Sequence, residues 1–287
     1  MAHKAIIIER FSGVSDFIQK VSKRQPNQVF SKAKRVEELS SHTGDMGFTM
    51  TRDYAESEVL MSTGYEKGLE DMKQSKRVTV KHASNVHKVI PTAQMVGYAP
   101  HVPNAIAGIP QSMIGAQRIT QKSKVLTILY DAGASAYVEA ERFVKAGRNL
   151  LDLILNLELQ GYRVQLDIMH AFCRPEQKAF CITNVKSQRQ PINPLKVSYL
   201  LLHPSFFRRQ CFMWLETQPE LTETSFSCGY GTPLINEVSN GSNVDKVRKW
   251  LADNKVMDKG VFYTSFYEIE DITISELMEK MGLKKSK

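Results

Sequence analysis

The most chemically suggestive residues follow a nearly continuous apolar segment near the middle of the chain. Residues 125–130 are mostly aliphatic, and the sequence DAGAS follows at 131–135. Ligands of open α/β sheets bind at the carboxyl ends of strands, and carboxylate and hydroxyl oxygens suit Mg²⁺. Asp131 and Ser135 therefore form a candidate magnesium site. The alternatives are a turn in which Ser135 caps the following helix and Asp131 holds no metal, and a contact with an anion or a partner.

A second candidate is the segment 203–209, in which His203 shortly precedes the adjacent Arg208 and Arg209. A guanidinium fork binds phosphate or carboxylate groups well, so these residues form a candidate binding site. The alternative for the arginines is an ion pair inside the fold, and we expect at most one of them to be buried. The sequence identifies no nucleophile that His203 would activate, which favours a structural role for it.

A third candidate is the segment 96–110, which contains His101 and Asn104 together with three prolines and two glycines. This composition disfavours a regular helix or a central strand. The segment is also apolar, unlike a flexible linker. We expect an ordered loop that either presents His101 and Asn104 as a binding surface or packs as a plug against a sheet.

Several kinds of chemistry lack their characteristic residues. The glycine-rich turn at 229–233 has no P-loop lysine, and no serine-hydrolase or zinc-protease motif is present. The four cysteines form no CxxC pair, so buried thiols are expected rather than a zinc site or disulfides. No apolar run approaches the ~20 residues of a membrane helix. The lack of a complete catalytic constellation favours a protein that is not an enzyme.

The elements that would position these residues belong to an α/β fold. The pattern predicts a strand at 125–130, a helix at 138–160 and a strand at 163–169. This is a βαβ unit, whose crossover is right-handed in nearly all proteins. A further strand at 179–185 follows a short connection and is expected to run antiparallel.

Two domains are predicted from this pattern. Residues 1–75 form a helical N-terminal region, and residues 76–287, with the proline- and glycine-rich loop 96–115, form the α/β domain. Continuous apolarity of the strand at 125–130 indicates a mostly parallel sheet with helices on both faces.

The strand, the DAGAS loop and the long helix resemble the opening of a von Willebrand factor A-type domain, a Rossmann-like fold. In that family an Asp-x-Ser-x-Ser loop coordinates a divalent metal, and the resemblance covers roughly residues 120–270. The middle serine is Gly133 here, so one hydroxyl ligand is missing. The family's complete site also takes residues from later loops, where Asn193 and Thr232 are in suitable places. The resemblance implies a bound Mg²⁺ if the Asp131 site is functional, and no cofactor if it is not.

Residues 97–113, the βαβ unit and the segment 203–209 resemble a family of tailed-bacteriophage proteins without a settled activity. This resemblance implies a viral protein acting in the host cytoplasm. Phage genomes also encode pairs in which such a domain partners a ring-shaped AAA+ ATPase, as in cobaltochelatases. An AAA+ ATPase or a host protein is therefore the expected partner.

Charge is the one global deviation, with a net charge of +8. This permits contact with nucleic acid, although the basic residues look dispersed along the chain, which favours a solvated surface. We expect a non-catalytic interaction or adaptor protein. The alternatives are a nucleic-acid-binding protein, a virion component, and a metal-dependent phosphoryl-transfer or hydrolytic enzyme centred on Asp131.

Overall fold

The structure is a computed structural model that describes most of the chain. The described residues are 5–23, 41–42, 46–74, 87–120, 124–174, 177–219, 230, 232–241 and 243–283. A short strand expected at 78–80, most of a weak strand expected at 226–230, and Cys228 lie outside them.

The described part of the chain contains both strands and helices, mostly in short runs of one type. The strands are β1 (Ala5–Phe11), β2 (His87–Gln94), β3 (Ala99–Pro100), β4 (Met113–Thr120), β5 (Val125–Asp131), β6 (Arg163–Cys173), β7 (Gln177–Lys186) and β8 (Phe262–Ser265). The α-helices are α1 (Val14–Ser22), α2 (Met46–Thr49), α3 (Tyr54–Thr63), α4 (Glu66–Gln74), α5 (Val102–Ile106), α6 (Ala140–Leu159), α7 (Pro194–Leu202), α8 (Phe212–Glu216), α9 (Leu234–Ser239), α10 (Val244–Asp253), α11 (Phe266–Asp271) and α12 (Ile274–Lys280). A π-helical segment, Phe206–Cys211, connects α7 to α8.

The central sheet has five strands in the order β1-β7-β6-β5-β8. Its β1–β7, β6–β5 and β5–β8 pairs are parallel, and β6–β7 is antiparallel. The antiparallel pair follows from chain length, because three residues link β6 to β7 and a parallel crossover needs a dozen or more. The predicted α/β class, the mostly parallel sheet and the antiparallel strand are confirmed.

The prediction that residues 1–75 are wholly helical is wrong at their start. Ala5–Phe11 is a strand that pairs with β7 in the same sheet as β5 and β6. The β-branched isoleucines of this segment favour an extended backbone. The sheet therefore takes one strand from the region expected to hold only helices.

Alternate residues of β6 pack into two separate cores. Leu166 and Ile168 belong to the core that contains α6 and α7, whereas Met169 and Ala171 belong to the core that contains α10. Since successive strand residues point to opposite faces, helices cover both faces of the sheet, as predicted. Leu166 and Ile168 are fully buried.

Helix α6 packs closely against α7. Gly147 of α6 sits against the backbone of Leu201, so closely that a Cβ at this position would overlap the carbonyl oxygen of Leu201. The missing side chain allows the two backbones to approach. This contact fixes the helix that follows the Asp131 loop, defined here as residues 131–138.

A second, three-stranded sheet in the order β2-β4-β3 forms an arm, residues 87–120. Its tip, residues 95–112, lies between β2 and β4 and contains the five-residue helix α5, so the expectation that this segment holds no regular helix is wrong. Pro103 occupies the first turn of α5, where proline is tolerated. Residues 91–114 include no buried residue. The alternative of a plug packed against the sheet is therefore wrong.

None of the helices in the described ranges is long and apolar enough to cross a membrane.

Candidate functional site

Asp131 ends β5 at the carboxyl edge of the parallel strands, as predicted. It is 1% exposed. Its Oδ1 accepts a hydrogen bond from the backbone N–H of Gly133 at 3.0 Å, and its Oδ2 accepts one from the Tyr263 hydroxyl at 3.0 Å. Gly133 leaves room for this turn, since a Cβ there would lie 3.0 Å from Oδ1 of Asp131. Both carboxylate oxygens are thus engaged within the fold.

Burial controls the ionisation of this site. It raises the pKa of Asp131 to about 7, against the lowering effect of the bonds from Gly133 and Tyr263. Burial and then the charge of Asp131 also raise the pKa of Tyr263. Near neutral pH the Asp131 side chain therefore populates both its protonated and its ionised forms.

Ser135 lies in the Asp131 loop but does not cap α6. Its backbone N–H donates to the Tyr267 hydroxyl at 2.9 Å. Helix α6 has Glu139 as its N-cap, without a side-chain cap bond. The expectation that Ser135 caps the long helix is wrong, because the chain makes a further turn at 136–138 before the helix begins.

Arg208 connects the segment 203–209 to the Asp131 loop, so two of the three candidates meet. Its guanidinium donates to the carbonyl oxygens of Val138 at 2.6 Å, Ser135 at 3.4 Å and Phe48 at 2.6 Å. The same group lies 4.0 Å from the ring centroid of Phe48 and 4.8 Å from that of Phe143. Within the described ranges no carboxylate bonds to Arg208, so neither an ion pair nor an anion site is formed there.

Arg209 points into a different part of the interior. Its guanidinium donates to Thr51 Oγ1 at 2.7 Å, to the carbonyl of His42 at 2.9 Å and to Thr49 Oγ1 at 3.2 Å. Arg208 is 1% exposed and Arg209 fully buried, so the expectation of at most one buried arginine is wrong. The segment around α2 covers Arg209, and local sequence could not predict this contact.

His203 is buried beside a serine that the sequence analysis did not connect to it. Its Nδ1 lies 2.8 Å from Ser205 Oγ, which lies 3.0 Å from the Tyr199 hydroxyl. Burial lowers the pKa of His203 to about 4. Ser205 is fully buried, so the pair has no access to a substrate, and this geometry fits the structural role expected of His203.

His170 is a further buried histidine, and nothing in the sequence singled it out. Among the residues that the structure describes, neither ring nitrogen has a hydrogen-bond partner. The ring stacks on Phe207 with 5.2 Å between centroids. Burial lowers the pKa of His170 to about 3, so the ring is neutral and packs as an aromatic core residue.

The residues around Asp131 do not fit a magnesium ion. Its two oxygens already accept hydrogen bonds, and its burial disfavours the charged form that a cation needs. Asn193 caps α7 by accepting from the Lys196 N–H, and Thr232 pairs with the backbone of Cys173. Across the described part of the chain, no three His, Cys, Asp or Glu residues form a group suited to a metal.

A cavity of about 620 Å³ opens beside α10 and α11, and its charged groups neutralise one another. Arg248 pairs with Asp245 at 2.6 Å and with Glu268 at 3.5 Å. Lys280 pairs with Glu268 at 2.6 Å. The cavity therefore offers no unpaired charge from these groups to a ligand.

The tip of the arm is ordered by its own hydrogen bonds. His101 caps α5, with Nδ1 accepting from the N–H of Asn104 at 3.3 Å, and Asn104 Nδ2 donates to the carbonyl of Gln111 at 2.7 Å. The Tyr98 N–H donates to the carbonyl of Ile114 at 2.9 Å. His101 and Asn104 thus hold the shape of the tip, and their predicted binding role stays a prediction.

The tip exposes a set of large apolar side chains to solvent. They have exposed fractions from 43% to 84% and are Met95, Val96, Tyr98, Val102, Ile106 and Ile109. Soluble monomers rarely expose contiguous apolar patches larger than a few hundred Å² without a function. The sequence analysis noted the apolar composition of this segment but could not tell exposure from packing.

The basic residues are dispersed along the chain, as expected, but the acidic residues are not, because one stretch contains none. Residues 72–130 contain eight Lys or Arg residues and no Asp or Glu. The other 228 residues contain thirty basic and thirty acidic residues. The whole excess of +8 therefore belongs to the arm and the sequence that flanks it.

Fold and site together define an α/β protein with a mostly parallel sheet, a buried carboxyl-edge loop and an exposed β-arm. The chain belongs to the family described as a domain of unknown function (DUF7192), whose model matches residues 2–276. No curated protein and no solved structure was found to match the chain.

The Asp131→Asn variant should lose a pH dependence that the parent protein shows. With a pKa of 3.8 in the unfolded chain and about 7 in the fold, Asp131 favours folding fully at low pH. That contribution is lost as pH rises through this window, by roughly 4 kcal/mol at most. Urea unfolding from pH 4 to 8 should show the variant gaining stability relative to the parent as pH rises. Asp258→Asn, an exposed control, should follow the parent, and parallel curves for Asp131→Asn would contradict the assignment.

The Arg208→Lys variant should be destabilised although it keeps the charge. A lysine cannot fork between the carbonyls of Phe48 and Val138, and a buried acceptor left unpaired costs about 1–3 kcal/mol. We expect a loss of about 2–4 kcal/mol in unfolding free energy, against less than about 0.5 kcal/mol for the exposed control Arg189→Lys. Equal stability of the two variants would show that the fork does not hold the Asp131 loop.

Proposed function

We propose that this protein is a non-catalytic interaction protein, an adaptor that uses its α/β body to present the arm to a partner. The observation that carries the proposal is the tip. Six large apolar side chains stand exposed on a hydrogen-bonded projection that contains no Asp, Glu, Lys or Arg. An ordered surface of this kind loses little conformational entropy on binding.

The condition of the other candidate residues supports binding rather than catalysis. The oxygens of Asp131 accept bonds from within the fold, and Ser205 beside His203 is fully buried. Arg208 binds three carbonyl groups of its own chain. A catalytic group needs a reacting atom within hydrogen-bond reach, and these side chains are directed at the protein itself.

The body is proposed to be von Willebrand A-like. Support comes from β5, β6 and the antiparallel β7, which follow one another in the sheet, and from Asp131 at the end of β5. Strand β1, added beyond β7, is a departure from the resemblance noted above. In this proposal the fold serves as a scaffold and its metal loop is not used.

The proposed setting is the cytoplasm of a bacterium infected by a tailed phage, with an AAA+ ATPase or a host protein as the partner. The support is the sequence resemblance over residues 97–113 and 203–209 described above. Nucleic-acid binding is the second candidate, favoured by the eight basic residues without an acidic one in residues 72–130.

A native pull-down of the full chain, tagged after Lys287, tests the proposal in the cells that produce it. We expect one protein in stoichiometric amount, unaffected by nuclease. Asp131→Asn should recover the same protein, because Asp131 is buried and makes its bonds inside the fold. No recovered protein would contradict the proposal, and recovery lost on nuclease treatment would establish the second candidate. Loss of the partner with Asp131→Asn alone, in a folded variant, would place the function at the Asp131 loop.

A further inference from the structure

The outer part of the arm carries no charged residues, whereas the end away from the tip carries basic residues. Residues 89–117 are 29 consecutive residues without Asp, Glu, Lys or Arg, in a chain that is 24% charged. Lys88 on β2 and Arg118 on β4 lie at the end of the arm away from the tip. With about 3.4 Å per strand residue, the six residues that follow Lys88 in β2 place it about 20 Å from the end of the strand, where the tip begins.

This separation of apolar and basic parts argues against nucleic acid as the occupant. Affinity for nucleic acid comes largely from Lys and Arg contacts with phosphates. A tip inserted into a groove of nucleic acid would bring apolar side chains beside the phosphates. The nearest cations on the strands, Lys88 and Arg118, would lie far from those phosphates. A tip inserted into an anionic membrane has the same difficulty, because membrane-binding cations lie near the headgroups.

A second copy of the chain is also a poor occupant. Outside residues 72–130 the chain has equal numbers of basic and acidic residues, so a second copy offers no excess of negative charge. Two arms placed side by side would bring their basic ends together, which is repulsive.

We propose that the arm docks into an apolar groove on a different protein, and that the rim of this groove is acidic. The proposal rests on the adaptor function and names the chemistry of its partner. The tip side chains fill the groove, and the end of the arm that carries Lys88 and Arg118 lies toward the rim. The six exposed aliphatic and aromatic residues of the tip would form the apolar centre of an interface, to which one partner contributes roughly 800 Å² in a standard complex. The basic residues at this end of the arm speed association with the acidic rim and make it salt-dependent.

Photo-crosslinking identifies the occupant in the cell. A benzophenone amino acid replaces Ile106, which is 84% exposed at the tip, or Leu159, which is 67% exposed on α6 and serves as the control. We expect a crosslink from position 106 to one foreign protein, at a site that mass spectrometry places in an apolar groove bordered by Asp and Glu. Position 159 should give no such product.

Affinity measurements with the crosslinked protein, once purified, complete the test. Val96→Ser combined with Ile106→Ser should weaken binding at least tenfold without changing the melting temperature, since both side chains lie in solvent. Leu159→Ser should bind as the parent does. Lys88→Glu combined with Arg118→Glu should slow association and flatten its salt dependence.

Each other outcome overturns the inference in a recognisable way. A crosslink from position 106 to nucleic acid, to lipid or to a second copy replaces the acidic protein with that occupant. A partner that is captured equally well by the Val96→Ser, Ile106→Ser variant leaves the adaptor function standing and removes the arm from it. A chain that captures nothing in any form defeats the adaptor function and the inference together.

Discussion

The positive charge of Arg208 inside the fold is the constraint on which the rest of the structure depends. A guanidinium removed from water needs hydrogen-bond acceptors; both Nη groups of Arg208 have them, whereas its Nε has none among the described residues. Here the acceptors are backbone carbonyls of Phe48, Ser135 and Val138 rather than a carboxylate. These carbonyls belong to α2 and to the Asp131 loop. One side chain from the π-helical segment therefore fixes how two separate parts of the chain meet, and burial lowers its own pKa to about 10.

This arrangement explains why the carboxyl edge, the usual ligand-binding edge of such sheets, is closed at Asp131. Arg208 and Tyr267 hold the Asp131 loop from two sides, and Tyr263 and Gly133 bond the carboxylate. The protein directs its interior polar groups at itself. Six large apolar side chains are instead exposed at the tip of the arm, about 20 Å along β2 from Lys88. In the proposed function the body holds the arm, and the arm contacts the partner.

The elements that the sequence predicted well are those with strong local signals. The apolar strand before Asp131, the long helix ended by Gly161 and the antiparallel strand after a short connection all exist close to the predicted bounds. The position of Asp131 at a strand end followed from the same pattern. Strand β1 was missed because a short run of isoleucines gives no clear periodicity.

The environment of the candidate residues could not be predicted, because it depends on contacts distant in sequence. Arg208 and Phe48 are 160 residues apart, and Asp131 and Tyr263 are 132 apart. Ser135 looked like a helix cap from its spacing alone. Whether the apolar segment 96–110 is buried or exposed depends equally on tertiary structure, since composition is the same in both cases. The lack of acidic residues in residues 72–130, in contrast, is a property of the sequence alone.

Hydrogen exchange of the free protein and of its captured complex tests most directly whether the arm is the working surface. The account predicts slower amide exchange within residues 95–112 of the arm when the partner is bound. Exchange in the Asp131 loop, residues 131–138, should stay the same, because its bonds to Arg208 and Tyr267 already exist in the free protein. Slower exchange in the Asp131 loop, with an unchanged arm, would contradict the account and return the function to the carboxyl edge of the sheet.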